Sequence, residues 1–208
     1  LGALEVRPIE LVAAYTVFAN LGVRTEPNAI LRVEDEAGNI IYRPTPVRKR
    51  VLAKSIAWTM TDALKGVIQH GSGIAVWRSG FRIPAGGKTG TTNDYNNVWF
   101  MGFTNDLVAG VWMGFDQLQP IMSNAQGGRL AAPVWATMMK EIYQRRPTPA
   151  DWTQPADLMH TVEVDTTTGY LATPFCPPQD VELRAYPPGE GPTQYCPIHT
   201  PFGPTQPN

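Results

Sequence analysis

The stretch Gly86-Gly87-Lys88-Thr89-Gly90-Thr91-Thr92 decides how the chain is read, together with two apolar runs that follow it. These are Val98-Trp99-Phe100-Met101-Gly102-Phe103 and Leu107-Val108-Ala109-Gly110-Val111-Trp112-Met113. Two glycines let a backbone bend or be approached closely. Lys88 offers a cation, and Thr89, Thr91 and Thr92 place hydroxyls on residues that favour strands. The polar turn Asn93 to Asn97 and the turn Thr104-Asn105-Asp106 separate the three segments. The pattern predicts three neighbouring antiparallel strands, the first with a polar, anion-seeking edge.

Working outward, helices flank these strands. Pro8 suits a first helical position, and the run from Ile9 to Ala19 stops at Asn20-Leu21-Gly22. That helix is apolar on nearly every face and is expected to be buried on more than one side. Ile30 to Val33 and Ile40 to Tyr42 read as a small hairpin, and Pro44 to Arg50 as linker, with Arg48-Lys49-Arg50 a solvated loop. Ile56, Met60, Ala63, Leu64 and Val67 recur at helical spacing between Ala53 and Gln69. His70-Gly71-Ser72-Gly73 ends that helix, with glycine where a left-handed cap is cheap, and His70 reads as a helix-end polar residue. Gly114 to Leu130 is expected to be a loop. Pro133 is expected to start a third helix with the core stripe Val134, Trp135, Met138, Met139, Ile142 and Tyr143.

After Arg145-Arg146-Pro147 proline becomes frequent. The expected division is therefore 1–150 as one domain and 151–208 as a small β-rich or irregular appendage, with strands near Thr161 to Val164 and Val181 to Leu183. Cys176 and Cys196 lie in this appendage. Three states stay open for them: a disulfide, which is favoured, free thiols, or a metal site for which only His160 is left as a further histidine. No metal and no cofactor is expected.

The charge balance excludes some partners. A net charge of -1 provides no long-range field for nucleic acid or an anionic membrane. No apolar segment approaches the roughly 20 residues that span a bilayer.

Lys88-Thr89-Gly90 admits three readings. A phosphate loop fails, because the position of its first glycine is Arg82 and no helix follows Thr89. A solvated strand edge would win for a bare tripeptide. The third reading is the Lys-Thr-Gly strand of the penicillin-recognising serine acyl-transferases. The run Ala85 to Asp94, continued by Val98 to Phe103 and Val111-Trp112-Met113-Gly114-Phe115-Asp116, closely resembles the transpeptidase domain of class A, bifunctional penicillin-binding proteins. Pro8 to Tyr15 with Phe18 to Gly22, Leu64 to Ile68 with Gly71-Ser72-Gly73, and Ala131 to Trp135 extend the resemblance over about residues 1–145.

That resemblance implies an α+β fold, an antiparallel sheet flanked by helices. It implies a D,D-transpeptidase that cross-links peptidoglycan through a serine acyl-enzyme on the outer face of the bacterial cytoplasmic membrane. Its partners would be D-Ala-D-Ala stem peptides and β-lactams. Lys88 and Thr91 would be catalytic, Lys88 through electrostatics and Thr91 through an oxyanion-hole N–H. Thr89, Gly90, Thr91 and Thr92 would bind substrate. The related alternatives are a D,D-carboxypeptidase or β-lactamase, or a non-catalytic β-lactam sensor.

Two motifs of the family do not occur. None of Ser55, Ser72, Ser79 and Ser123 has lysine three positions on or asparagine two positions on. A serine nucleophile needs a base beside it. The expectation is a chain that opens inside a domain, with the nucleophile upstream; a glycosyltransferase domain and a membrane anchor are implied by the family resemblance only. Asn97 stands where the family pattern leads one to expect an acidic residue.

Overall fold

The computed structural model describes residues 5–158, 160–186 and 189–203. They fall into two compact units, 1–153 and 154–208. In the first, helix α1 (Pro8–Ala19) ends where Leu21 and Gly22 take positive φ, 45° and 97°. It buries Ala13, Val17 and Ala19, while Ile9 is 55% exposed. Past this exposed first turn only Ala14 of residues 11–19 is exposed, and Tyr15 and Phe18 pack on the Phe103 ring, so the helix is covered on more than one side as expected. Strand β1 (Val23–Thr25) follows, then the expected hairpin of β2 (Val33–Glu34) and β3 (Ile40–Tyr42). The Asp35 carboxylate holds its turn by accepting the N–H groups of Ala37 and Asn39.

Part of the expected linker is a strand. β4 (Arg48–Arg50) pairs antiparallel with β1, Val23 opposite Arg50. Its backbone groups carry the pairing, so a run of three exposed basic side chains conceals it. Helix α2 (Lys54–Gln69) is turned from the expected orientation. It buries Ala57, Thr61, Leu64 and Ile68, and leaves Ile56 and Met60 about half exposed. Thr61 tolerates burial because its hydroxyl reaches the carbonyls of Ala57 and Phe18, at 2.8 and 3.1 Å. The helix leaves at His70 without a left-handed cap. Gly71 serves close approach instead, since a Cβ there would lie 2.8 Å from the Val67 Cα.

Short helix α3 (Ile74–Arg78) leads into the main sheet. Its strands β5 (Gly86–Thr91), β6 (Asn97–Phe103) and β7 (Val108–Gly114) are antiparallel in the order β5-β6-β7. Helix α4 (Gly127–Tyr143) starts six residues before Pro133, which lies inside it. Gly127 and Gly128, which read as loop, let the helix begin close to other backbone, since a Cβ would lie 2.6 Å from the Gly90 carbonyl oxygen of β5 at the first and 2.2 Å from that of Ser72 at the second.

The period-2 alternation of β6 sends Val98, Phe100 and Gly102 to one face and Met101 and Phe103 to the other. On the first face the fully buried Trp135 meets Phe81 and Phe100 edge-on, both at 5.4 Å between ring centroids. Its indole N–H donates to the Ala109 carbonyl at 3.1 Å. On the second face Phe103 is ringed by Tyr15, Phe18 and Trp152. Trp152 donates to the Ala19 carbonyl at 2.8 Å, which accounts for the first unit running on to Thr153. Each such buried ring contributes about 1.5–3 kcal/mol relative to exposure. An antiparallel sheet with helices on both faces is an α+β arrangement.

The turn between β6 and β7 is tied to the end of α4. The buried Thr104 hydroxyl lies 2.6 Å from that of Tyr143, and Tyr143 donates to Asp106. Burial, then the bond to Asp106, push the Tyr143 phenol up to about 12, against an ordinary value of about 10. The folded state holds this proton more tightly than the unfolded one. Its contribution to stability is therefore intact below about pH 10 and is lost as pH rises towards about 12. Urea midpoints should fall more steeply over that window in the parent than in Tyr143→Phe. Equal slopes would remove Tyr143 from this role.

In the second unit β8 (His160–Asp165) pairs antiparallel with β9 (Val181–Tyr186), Thr161 opposite Ala185. Cys176 and Cys196 are buried free thiols in this structure, not the favoured disulfide, and their sulfurs lie within 4.8 Å of ligand atoms of Asp165 and His199. The side chain of His160, the further histidine suggested by the sequence, lies outside the described residues.

Candidate functional site

β5 is an edge strand. One side pairs with β6, Lys88 opposite Met101 and Thr91 opposite Val98. Among the described residues no strand pairs with the other side. An edge of this kind presents backbone N–H and C=O groups to an extended ligand. Its first half is anchored, with Gly86 and Gly87 buried against Phe103 and Phe100. Its second half opens out, with Lys88 and Thr91 exposed and Thr89 and Gly90 half-buried.

Alternation puts Lys88 on one face and Thr89 and Thr91 on the other. The Lys88 ammonium donates to the Thr89 carbonyl at 2.9 Å. The Thr89 hydroxyl lies 2.7 Å from that of Ser72, on the turn after α2. The Thr91 hydroxyl accepts the N–H of Gly127, the first residue of α4, at 3.1 Å. An accepting hydroxyl keeps its own proton for donation, so Thr91 is oriented by the helix and still able to donate outward. The helix N-terminus beside it favours negative charge nearby. The Thr92 hydroxyl accepts the Asn97 N–H at 3.0 Å and closes the turn that leads into β6. The Asn97 side-chain oxygen accepts the Trp112 indole N–H at 2.9 Å, which locks the far end of the sheet.

Ser72 and Gly127 are the members of this cluster to which the sequence assigned no site role. Gly127-Gly128 ahead of an apolar helix was the available signal, because paired glycines at a helix start mark a close backbone approach. A Cβ on Gly127 would lie 2.2 Å from the Trp99 carbonyl oxygen and 2.6 Å from that of Gly90. Among the described residues no serine hydroxyl is hydrogen-bonded to a lysine or histidine side chain. Ser72 meets Thr89, and Ser79 donates to the Val76 carbonyl.

Comparison with known proteins gives the family of the chain. Residues 1–140 match the model of the penicillin binding protein transpeptidase domain, and residues 155–201 match that of the penicillin-binding protein 1A C-terminal domain. Penicillin-binding protein 1A of Aquifex aeolicus is 37% identical over 147 residues, 71% of this chain and 20% of the relative. Its counterpart in Pseudomonas aeruginosa is 27% identical over a match that covers 85% of this chain and 27% of the relative. The chain thus spans about a quarter or less of the length of these curated relatives. The crystal structure of penicillin-binding protein 1A from Haemophilus influenzae superposes with a TM-score of 0.81 at 25% identity, covering 94% of this chain and 34% of that one. With the edge strand, its flanking helices and the second unit all matched, the chain belongs to the penicillin-binding protein transpeptidase family.

Proposed function

We propose that this chain forms the Lys-Thr-Gly wall of a serine-type D,D-transpeptidase cleft, whose nucleophile lies outside these 208 residues. The observation that carries the reading is the free edge of β5, with Lys88, Thr89 and Thr91 presented beside the N-terminus of α4. A stem peptide ending in D-Ala-D-Ala, or a β-lactam, lies antiparallel along that edge. Lys88 supplies positive potential for its terminal carboxylate, and the Thr89 and Thr91 hydroxyls donate to it. Gly90 leaves room for the ligand, and Thr92 holds the end of the strand in register. The Thr91 N–H is one of two oxyanion donors, acting where charge develops during acylation. The intact enzyme cross-links peptidoglycan on the outer face of the cytoplasmic membrane and also carries a glycosyltransferase activity. Among the described residues no helix is long and apolar enough to cross a membrane.

Labelling with a fluorescent penicillin tests the division of labour. The 208-residue chain should take up no covalent label, because acylation needs a serine activated by a base. The intact enzyme should be labelled stoichiometrically. Stable labelling of the isolated chain would overturn the reading. Hydrolysis of the label with no cross-linking of stem peptides would move the enzyme to the carboxypeptidase or β-lactamase class.

A further inference from the structure

The second unit contains a cluster unrelated to the β5 edge. Asp165 at the end of β8, Cys176 in the Thr173–Cys176 turn, and Cys196 and His199 in the segment Cys196-Pro197-Ile198-His199 converge there. One ligand atom from each lies within 4.8 Å of all the others. Asp165 is fully buried, Cys196 and Cys176 are 2% and 7% exposed, and the His199 side chain is 24% exposed. We propose that these four residues form a tetrahedral zinc site that holds the second unit together.

The donor set fits the ion. Two thiolates, one imidazole and one carboxylate suit a borderline-soft cation that prefers four ligands. Bond lengths of about 2.0–2.3 Å place tetrahedral ligand atoms roughly 3.3–3.8 Å apart. Cys196 Sγ already lies 3.4 Å from Asp165 Oδ2 and 3.4 Å from His199 Nδ1. The His199–Asp165 pair, at 2.5 Å, has to open by about 1 Å to admit the ion.

The surrounding bonds orient each ligand as metal sites require. Asp165 Oδ1 is taken by the N–H groups of Thr167 and Thr168, at 2.8 and 2.9 Å, which leaves Oδ2 aimed into the cluster. The Thr173 N–H points at Cys176 Sγ at 3.3 Å, a contact that stabilises a thiolate. The Thr173 hydroxyl donates to the His199 carbonyl at 2.6 Å, tying the two ligand loops together.

The need for such a site follows from how little else is buried. Apart from the cluster, the buried residues described in this unit are Pro155, Leu158 and Val164. A unit of this size rarely stays folded on so small an apolar core without a metal or disulfide staple. Binding requires both thiols to lose their protons to solvent, so affinity rises with pH.

The test uses the full 208-residue chain, reduced, stripped with EDTA, and titrated with Zn(II) or Co(II). The expected result is about one ion per chain retained through gel filtration, with a rise in melting temperature. The Co(II) form should show thiolate-to-metal charge transfer and tetrahedral ligand-field bands. Both should vanish in Cys176→Ser/Cys196→Ser. His199→Ala should weaken binding at least as much as loss of an outer partner does, about 10–100-fold. The proposal is overturned if the parent chain retains no ion, or shows no sulfur charge transfer. It is equally overturned if chain exported to an oxidising compartment is metal-free, lighter by two hydrogens, and has Cys176 joined to Cys196. These readouts come from the parent chain, so misfolding of a variant leaves them decisive, and none depends on the transpeptidase reading.

Discussion

Gly127→Ala should lower the acylation rate of the intact enzyme by about 100-fold, the scale of a roughly 1 Å misplacement of a catalytic group. The contacts that a new Cβ would meet, at 2.2 and 2.6 Å, are backbone carbonyl oxygens of Trp99 and Gly90, and these cannot rotate away. Helix α4 must lift from β5, and the Gly127 N–H leaves the Thr91 hydroxyl that it now orients. The same overcrowding should destabilise the 208-residue chain by about 1–3 kcal/mol, read as a lower denaturant midpoint. Val134→Ala, on the exposed side of the same helix, should stay within about 0.5 kcal/mol. Unchanged acylation and stability in Gly127→Ala would show that the start of α4 does not position the β5 edge.

Lys88→Ala should separate chemistry from folding. The side chain is exposed and, among the described residues, its hydrogen bond is to its neighbour's carbonyl. Stability should therefore change by no more than about 0.5 kcal/mol. Acylation of the intact enzyme should fall by about 10²–10³-fold, the usual cost of removing one electrostatic partner from an acyl-transfer site. Lys88→Arg should recover part of the rate, since the charge returns with a different shape. Stopped-flow acylation by a chromogenic β-lactam measures all three. Undiminished acylation in Lys88→Ala would remove it from the site.

Much of the architecture was legible because it rests on local patterning. The run from Gly86 to Met113 named three antiparallel strands, since alternation and turn chemistry are written in adjacent residues. Pro8 and Gly22 bounded α1 for the same reason. The orientation of α2 was not legible. Apolar spacing favoured Ile56 and Met60, whereas burial went to Thr61, whose hydroxyl found carbonyls on α2 itself and on α1. The start of α4 was misplaced because proline is a strong local signal. The actual constraint on Gly127 lies in the Trp99 and Gly90 carbonyls, distant in sequence. β4 was missed because backbone pairing with β1 needs no apolar side chain.

By itself the sequence determined that Lys88, Thr89 and Thr91 share a strand, and that no serine of the chain is followed by lysine three positions on. Both follow from composition and from spacing over a few residues. The tertiary structure alone decided that β5 is an edge, that Ser72 and Gly127 orient its threonines, and that Asp165 joins the two cysteines and His199. Those outcomes depend on contacts between residues up to 36 positions apart in the sequence, as Gly127 is from Thr91. Spacing along the chain cannot encode which distant backbone atom will stand against a given side chain.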